Sequence, residues 1–136
     1  AAIRTRDVAR IKELVRKGFY DGIVFHRVID GFMAQTGDGQ KFDGTGGSKY
    51  PNLKQEFSQT PFKRGTVGMA RRGDSVDSAN SQFFICFTDA PWLNKQYSVW
   101  GQVIEGMDNV DKIKKGEPVV DPDEIISMKV AADIAA

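Results

Sequence analysis

The chain has 136 residues, 40% hydrophobic and 27% charged, which suits one folded domain over residues 1–136 and argues against disorder. No apolar run reaches membrane-spanning length, and nineteen basic against eighteen acidic side chains, a formal +1, leave no basic excess for nucleic acid. Fourteen glycines, about 10% of the chain where 7% or so is usual, and nine phenylalanines suggest short strands and tight turns rather than a helical bundle.

In chain order, the segment Asp7 to Lys17 carries Val8, Ile11, Leu14 and Val15 at helical spacing, and Gly18 is placed as its stop. Ile23 to Ile29 reads as a strand, because β-branched and aromatic residues dominate it. Asp30-Gly31 breaks it, and Phe32 to Gln35 resumes extended structure. A long stretch from Thr36 to Gly65 follows, glycine-rich in its first half; a loop this long in a small domain is usually functional. Thr66 to Ala70 and Gln82 to Phe87 read as strands, Pro91 to Asn94 as a short turn or 3₁₀ segment, and Tyr97 to Ile104 as another strand. Met107, Val110 and Ile113 mark a second helix, with Asp108 as N-cap and Gly116 as its end. Ile125 to Val130 is the last predicted strand. Many strands, two helices and no βαβ alternation predict a mainly β fold, a closed or nearly closed barrel capped by helices.

Side chains that carry chemistry are few. The single cysteine, Cys86, lies in the apolar run Gln82 to Phe87 and reads as a buried, inert thiol. One cysteine and one histidine leave no metal site of the usual spacing, and the first residues contain no apolar signal-peptide core, so a reducing cytoplasm is expected. Strand alternation puts Phe25, Arg27 and Ile29 on one face, and Gln82, Phe84 and Cys86 on one face. From this pattern alone Arg27 reads as a surface or barrel-end guanidinium lying on aromatic neighbours. His26 reads as a hydrogen-bonded structural residue, since no Ser-His-Asp set assembles around it. Gly44-Thr45-Gly46-Gly47-Ser48-Lys49 lacks the ending and the strand-to-helix context of a phosphate loop, and reads as turn chemistry.

Taken together, several runs resemble the cyclophilins, the peptidyl-prolyl cis–trans isomerases, in the flavour of small bacterial members. They are Phe25-His26-Arg27-Val28-Ile29-Asp30-Gly31-Phe32-Met33-Ala34-Gln35, Gly44-Thr45-Gly46-Gly47, Gly68-Met69-Ala70, Ser81-Gln82-Phe83-Phe84-Ile85, Trp92-Leu93 and Trp100 to Met107. The resemblance implies an antiparallel barrel capped by two helices, with substrate bound in a groove on its outer surface. Arg27 would be the catalytic arginine, and Phe32, Met33, Phe84 and Leu93 would line a proline pocket. Gln35 would bond the substrate backbone with the main chain of Arg71, while Ala70, Gln82 and Trp92 would shape the rest. Tyr97 stands where many members have a histidine, and Arg71 where Asn is common, with only main-chain contacts expected there. No cofactor or metal is implied. The implied partners are proline-containing peptides and unfolded proteins, with cyclosporin as a ligand of Trp92, and the protein is expected to be a monomer with no nucleic-acid or membrane partner. A proline-peptide binding module or chaperone without catalysis would use the same groove, but would not require a guanidinium at the amide nitrogen. Members also begin with a β-hairpin that Ala1 to Asp7 is too short to supply, so the strand Ile125 to Val130 is expected to present an open edge.

Overall fold

The computed structural model describes residues 5–134; the sequence reading of residues 1–4 lies outside them. In chain order come α1 (Arg6–Arg16), β1 (Arg27–Ile29), β2 (Met33–Thr36), β3 (Thr66–Met69), β4 (Phe83–Cys86), a 3₁₀ turn at Pro91–Leu93, β5 (Val99–Gln102), α2 (Met107–Val110) and a 3₁₀ turn at Ala131–Asp133.

The first helix opens on Thr5, whose hydroxyl accepts from the Val8 N–H at 3.1 Å. It closes where Gly18 turns left-handed, with the Phe19 N–H returning to Leu14 O and the Gly18 N–H to Val15 O, both at 3.0 Å. Ile11, Leu14 and Val15 face inward from it, packing with Val67, Met69 and Phe83 from one face of the sheet.

The sheet is antiparallel, in the order β1-β2-β4-β3-β5. Its register aligns Arg27 with Gln35, Gln35 with Phe84, and Phe84 with Gly68, so these four positions form one row on one face. Ile29, Met33 and Cys86 align one pleat away on the same face. A second buried cluster lies there, joining Met33, Phe84 and Cys86 to Phe62, Ala90, Leu93 and Val99. The two-residue alternation read from the sequence therefore sorts β1 and β4 onto the correct faces.

Three predicted elements differ in kind or extent of pairing, and three more strands only in length. Of Ile23 to Ile29 only Arg27–Ile29 is a strand, because the partners change along the segment. Residues 22–25 bond to 123–125, and Val28 to Gly116. Ile125 to Val130 is not a strand: its ladder stops at the Val24–Glu124 bridge and Ile125, and Met128 is held instead by the Asp21 carboxylate. The second helix is one turn long and opens at Gly106, in the left-handed region, with Asp108 inside its first turn. The apolar positions Met107, Val110 and Ile113 recur every three residues, and beyond Val110 the bonds tighten to Lys112 N–Asn109 O and Ile113 N–Val110 O. Strands read at 66–70, 82–87 and 97–104 are observed shorter, as 66–69, 83–86 and 99–102.

Candidate active site

On the groove face, a cleft of about 290 Å³ is lined by Arg27, Phe32, Met33, Gln35, Ala70, Arg71, Phe84, Trp92, Leu93 and Tyr97. Ten of the eleven residues singled out from the sequence thus meet in one place. The eleventh, Gln82, lines the neighbouring cavity.

The floor is aromatic and close-packed. Phe84 stacks on buried Phe62 at 5.7 Å and 20°, and Tyr97 meets it edge-on at 5.7 Å and 89°. Gly68 makes this possible, since a Cβ there would lie 2.7 Å from the Phe62 ring and 3.0 Å from that of Phe84. Leu93 is buried, while Trp92 on the same 3₁₀ turn stands 61% exposed with its ring tilted against Phe32 at 5.6 Å.

The polar side is a directed chain. The Gln82 Nε2 group donates to the carbonyls of Gly44 and Gly46 at 2.9 and 2.7 Å, which turns its Oε1 toward Gln35. Gln35 Nε2 donates to that oxygen at 2.9 Å, which turns its own Oε1 toward Arg27, whose Nη1 donates to it at 3.2 Å. Arg27 Nε donates to a Glu117 carboxylate oxygen at 2.9 Å. Its neighbours are thus an amide and a carboxylate at the cleft edge, not the aromatic bed read from the strand pattern.

The glycine-rich segment anchors this chain. Five of its backbone N–H groups, from Gln40, Lys41, Asp43, Gly44 and Gly46, donate to the Asp38 carboxylate. Burial opposes the charge, but these bonds outweigh it and hold the carboxyl well below the usual carboxylate range. The loop therefore closes around an anion of its own chain, which agrees with turn chemistry rather than phosphate binding.

Two residues tempting as catalysts do not line the cleft. His26 is buried beside Gly44 with neither ring nitrogen hydrogen-bonded, and burial lowers its pKa. It is a packing residue and not the hydrogen-bonded one expected, because its ring lies against the backbone of Gly44, which offers neither nitrogen a hydrogen bond. Cys86 is buried, and burial pushes its thiol up to about 12. Among the described residues, no group of three or more His, Cys, Asp or Glu side chains could hold a metal, and no helix is long and apolar enough to cross a membrane.

Sequence reasoning missed two side chains. Glu117 lies 90 positions from Arg27, in a Gly-Glu-Pro segment that carries no motif. Arg71, expected to offer only its main chain, lays its guanidinium 4.5 Å over the Tyr97 ring and donates to Gln96 O at 3.0 Å. Its charge thus stands in the cleft wall.

A mainly β, antiparallel fold with a guanidinium set beside an apolar cleft is the arrangement of the cyclophilins, and the comparisons agree. Residues 5–130 match the family model described as cyclophilin type peptidyl-prolyl cis-trans isomerase/CLD, so the chain belongs to this isomerase family. It is 57% identical over 143 residues to a probable peptidyl-prolyl cis-trans isomerase of Brucella abortus (strain 2308), covering 94% of this chain and 72% of the relative. A peptidyl-prolyl cis-trans isomerase of Helicobacter pylori (strain ATCC 700392 / 26695) is 42% identical over 114 residues, covering 81% of this chain and 68% of that protein. In structure the chain is similar to cyclophilin AquaCyp293 from Hirschia baltica, with a TM-score of 0.84 and 29% identity over 93% of this chain and 66% of that one. It is also similar to a cyclophilin-type isomerase of Cryptosporidium parvum solved in the presence of the dipeptide Ala-Pro, with a TM-score of 0.78 and 26% identity over 88% and 80% of the two chains.

Proposed function

We propose that the cleft holds the proline of an Xaa-Pro segment in a peptide or unfolded protein, and that Arg27 lowers the barrier to rotation about the preceding amide. That barrier, about 18–20 kcal/mol, comes from C–N double-bond character. No bond is made or broken, so no nucleophile or acid–base pair is needed. The requirement is to bind the twisted amide better than either planar form.

The residues meet that requirement in separable ways. Met33, Phe84 and Leu93 offer an apolar slot for the proline ring, with Phe32 and Trp92 on its rim. Gln35, oriented by Gln82, faces the substrate backbone. As the amide twists, its nitrogen regains a lone pair, and an Arg27 Nη group donates to it. A guanidinium keeps its proton at any working pH and presents a planar fork that lysine lacks.

The observation that carries this reading is the shared row of the sheet. Arg27, Gln35 and Phe84 are cross-strand neighbours on the face that bears the cleft. Its test is the isomerisation rate of an Ala-Pro peptide. Arg27→Ala is expected to lose about 10²–10³-fold in kcat/KM, the usual cost of one such donor; a rate equal to wild type contradicts it.

Trp92 extends the reading to one ligand. Its exposed ring presents an indole N–H beside the slot, suited to a carbonyl of an apolar cyclic peptide such as cyclosporin. Titration with the drug is expected to change tryptophan fluorescence and inhibit the peptide assay, and Trp92→Ala to lose both responses. Unchanged fluorescence and rate in wild type contradict it.

A further inference from the structure

A side chain as long as that of Arg27 needs more than one contact to hold a single orientation at the rim of a cleft. Arg27 lies on β1, the end strand of the sheet, and its side chain is 40% exposed. Gln35 fixes one corner of the guanidinium through Nη1. A single bond leaves the plane free to swivel about that contact.

The second contact is set by the backbone. Val28 and Gly116 exchange both main-chain hydrogen bonds, at 2.9 and 2.8 Å, as an antiparallel bridge. One step along an antiparallel pair, Arg27 must face Glu117. Gly116 adopts φ +151°, and a Cβ there would lie 2.8 Å from Pro118 O, so only glycine carries the chain through this approach. The Glu117 carboxylate then meets Nε at 2.9 Å. Nε and Nη1 are thus tied, and Nη2 makes neither bond.

We propose that Glu117 is a positioning residue: by accepting from Arg27 Nε it fixes the guanidinium plane so that the Nη groups face the prolyl nitrogen. The inference rests on the catalytic reading of Arg27 given above. A pair this exposed adds little to folding stability, so its effect is on geometry. It opposes a second effect, since a carboxylate beside the guanidinium also weakens the positive field. Positioning outweighs the field because the donor must lie within a fraction of an ångström of the reacting nitrogen.

The test compares Glu117→Ala, Glu117→Gln, Arg27→Ala and the double variant Arg27→Ala/Glu117→Ala on an Ala-Pro peptide. Glu117→Ala is expected to lose about tenfold in kcat with KM within twofold and an unchanged melting temperature. Glu117→Gln, which keeps an oxygen acceptor without the charge, restores kcat to within threefold of wild type. In the Arg27→Ala background, Glu117→Ala costs nothing further. The Arg27 Nε–H resonance gives a readout independent of turnover, protected from exchange in wild type and Glu117→Gln and lost in Glu117→Ala. Wild-type kcat in Glu117→Ala, or a loss that persists in full without Arg27, overturns the positioning role. Wild-type activity in Arg27→Ala overturns instead the reading on which it rests.

Discussion

Burial of Asp7 gives the inner face of the first helix a titratable charge that the fold does little to satisfy. The side chain is wholly buried and neither oxygen makes a full hydrogen bond. Desolvation, then the nearby Glu56 carboxylate, raise its pKa to about 6, against weaker lowering by Arg10, Arg6 and the Ser98 hydroxyl. The folded form therefore binds the proton more tightly than the unfolded chain. Stability is fully present below the unfolded value near 4 and is lost as pH rises through about 6. His26 acts in the opposite sense. Its lowered pKa makes the folded state resist protonation, so its contribution fades as pH falls below the unfolded value. Replacing Asp7 by Asn isolates the first effect. At pH 8 the variant is expected to gain about 1–3 kcal/mol over wild type, and at pH 4 to gain almost nothing. Denaturant titrations at the two pH values check this, and an equal change at both contradicts it.

At the scale of elements, the cleft floor depends on how closely β3 approaches the Phe62–Phe84 stack. Gly68→Ala puts a methyl group 2.7 Å from Phe62 and 3.0 Å from Phe84, so one ring must shift. The expected result is a loss of about 1–3 kcal/mol by denaturant unfolding, with a raised KM for the Ala-Pro peptide because Phe84 belongs to the proposed proline slot. Wild-type stability together with wild-type KM contradicts that role. Gly68 was visible in the sequence only as part of a resemblance, because its importance lies in rings that reach it from residues 62 and 84. Strand faces were legible, since alternation is local and β1 and β4 obey it. Strand ends were not, because they depend on partners far away: Ile125 to Val130 has strand composition but a ladder that stops at Ile125. The second helix was over-read for a related reason, as an apolar residue every third position fits a tight turn as well as a helix.

For the whole molecule, the site is a product of topology more than of any one segment. The chain from the Asp38-centred loop through Gln82 and Gln35 reaches Arg27, and Glu117 closes on it from the other side. The groove residues were found from the sequence because they sit in contiguous runs with a family resemblance. Glu117 and the Arg71 side chain were not, since each gains its meaning only from a neighbour across the fold. The central claim is that Arg27 acts on the twisted amide and not on the bound planar peptide. Its most direct measurement sets affinity against rate in one sample, using an Ala-Pro peptide whose cis–trans exchange is followed by NMR at equilibrium. For Arg27→Ala the account predicts peptide affinity within about threefold of wild type and catalysed exchange slower by about 10²-fold or more. Affinity and exchange falling together by the same factor would contradict it.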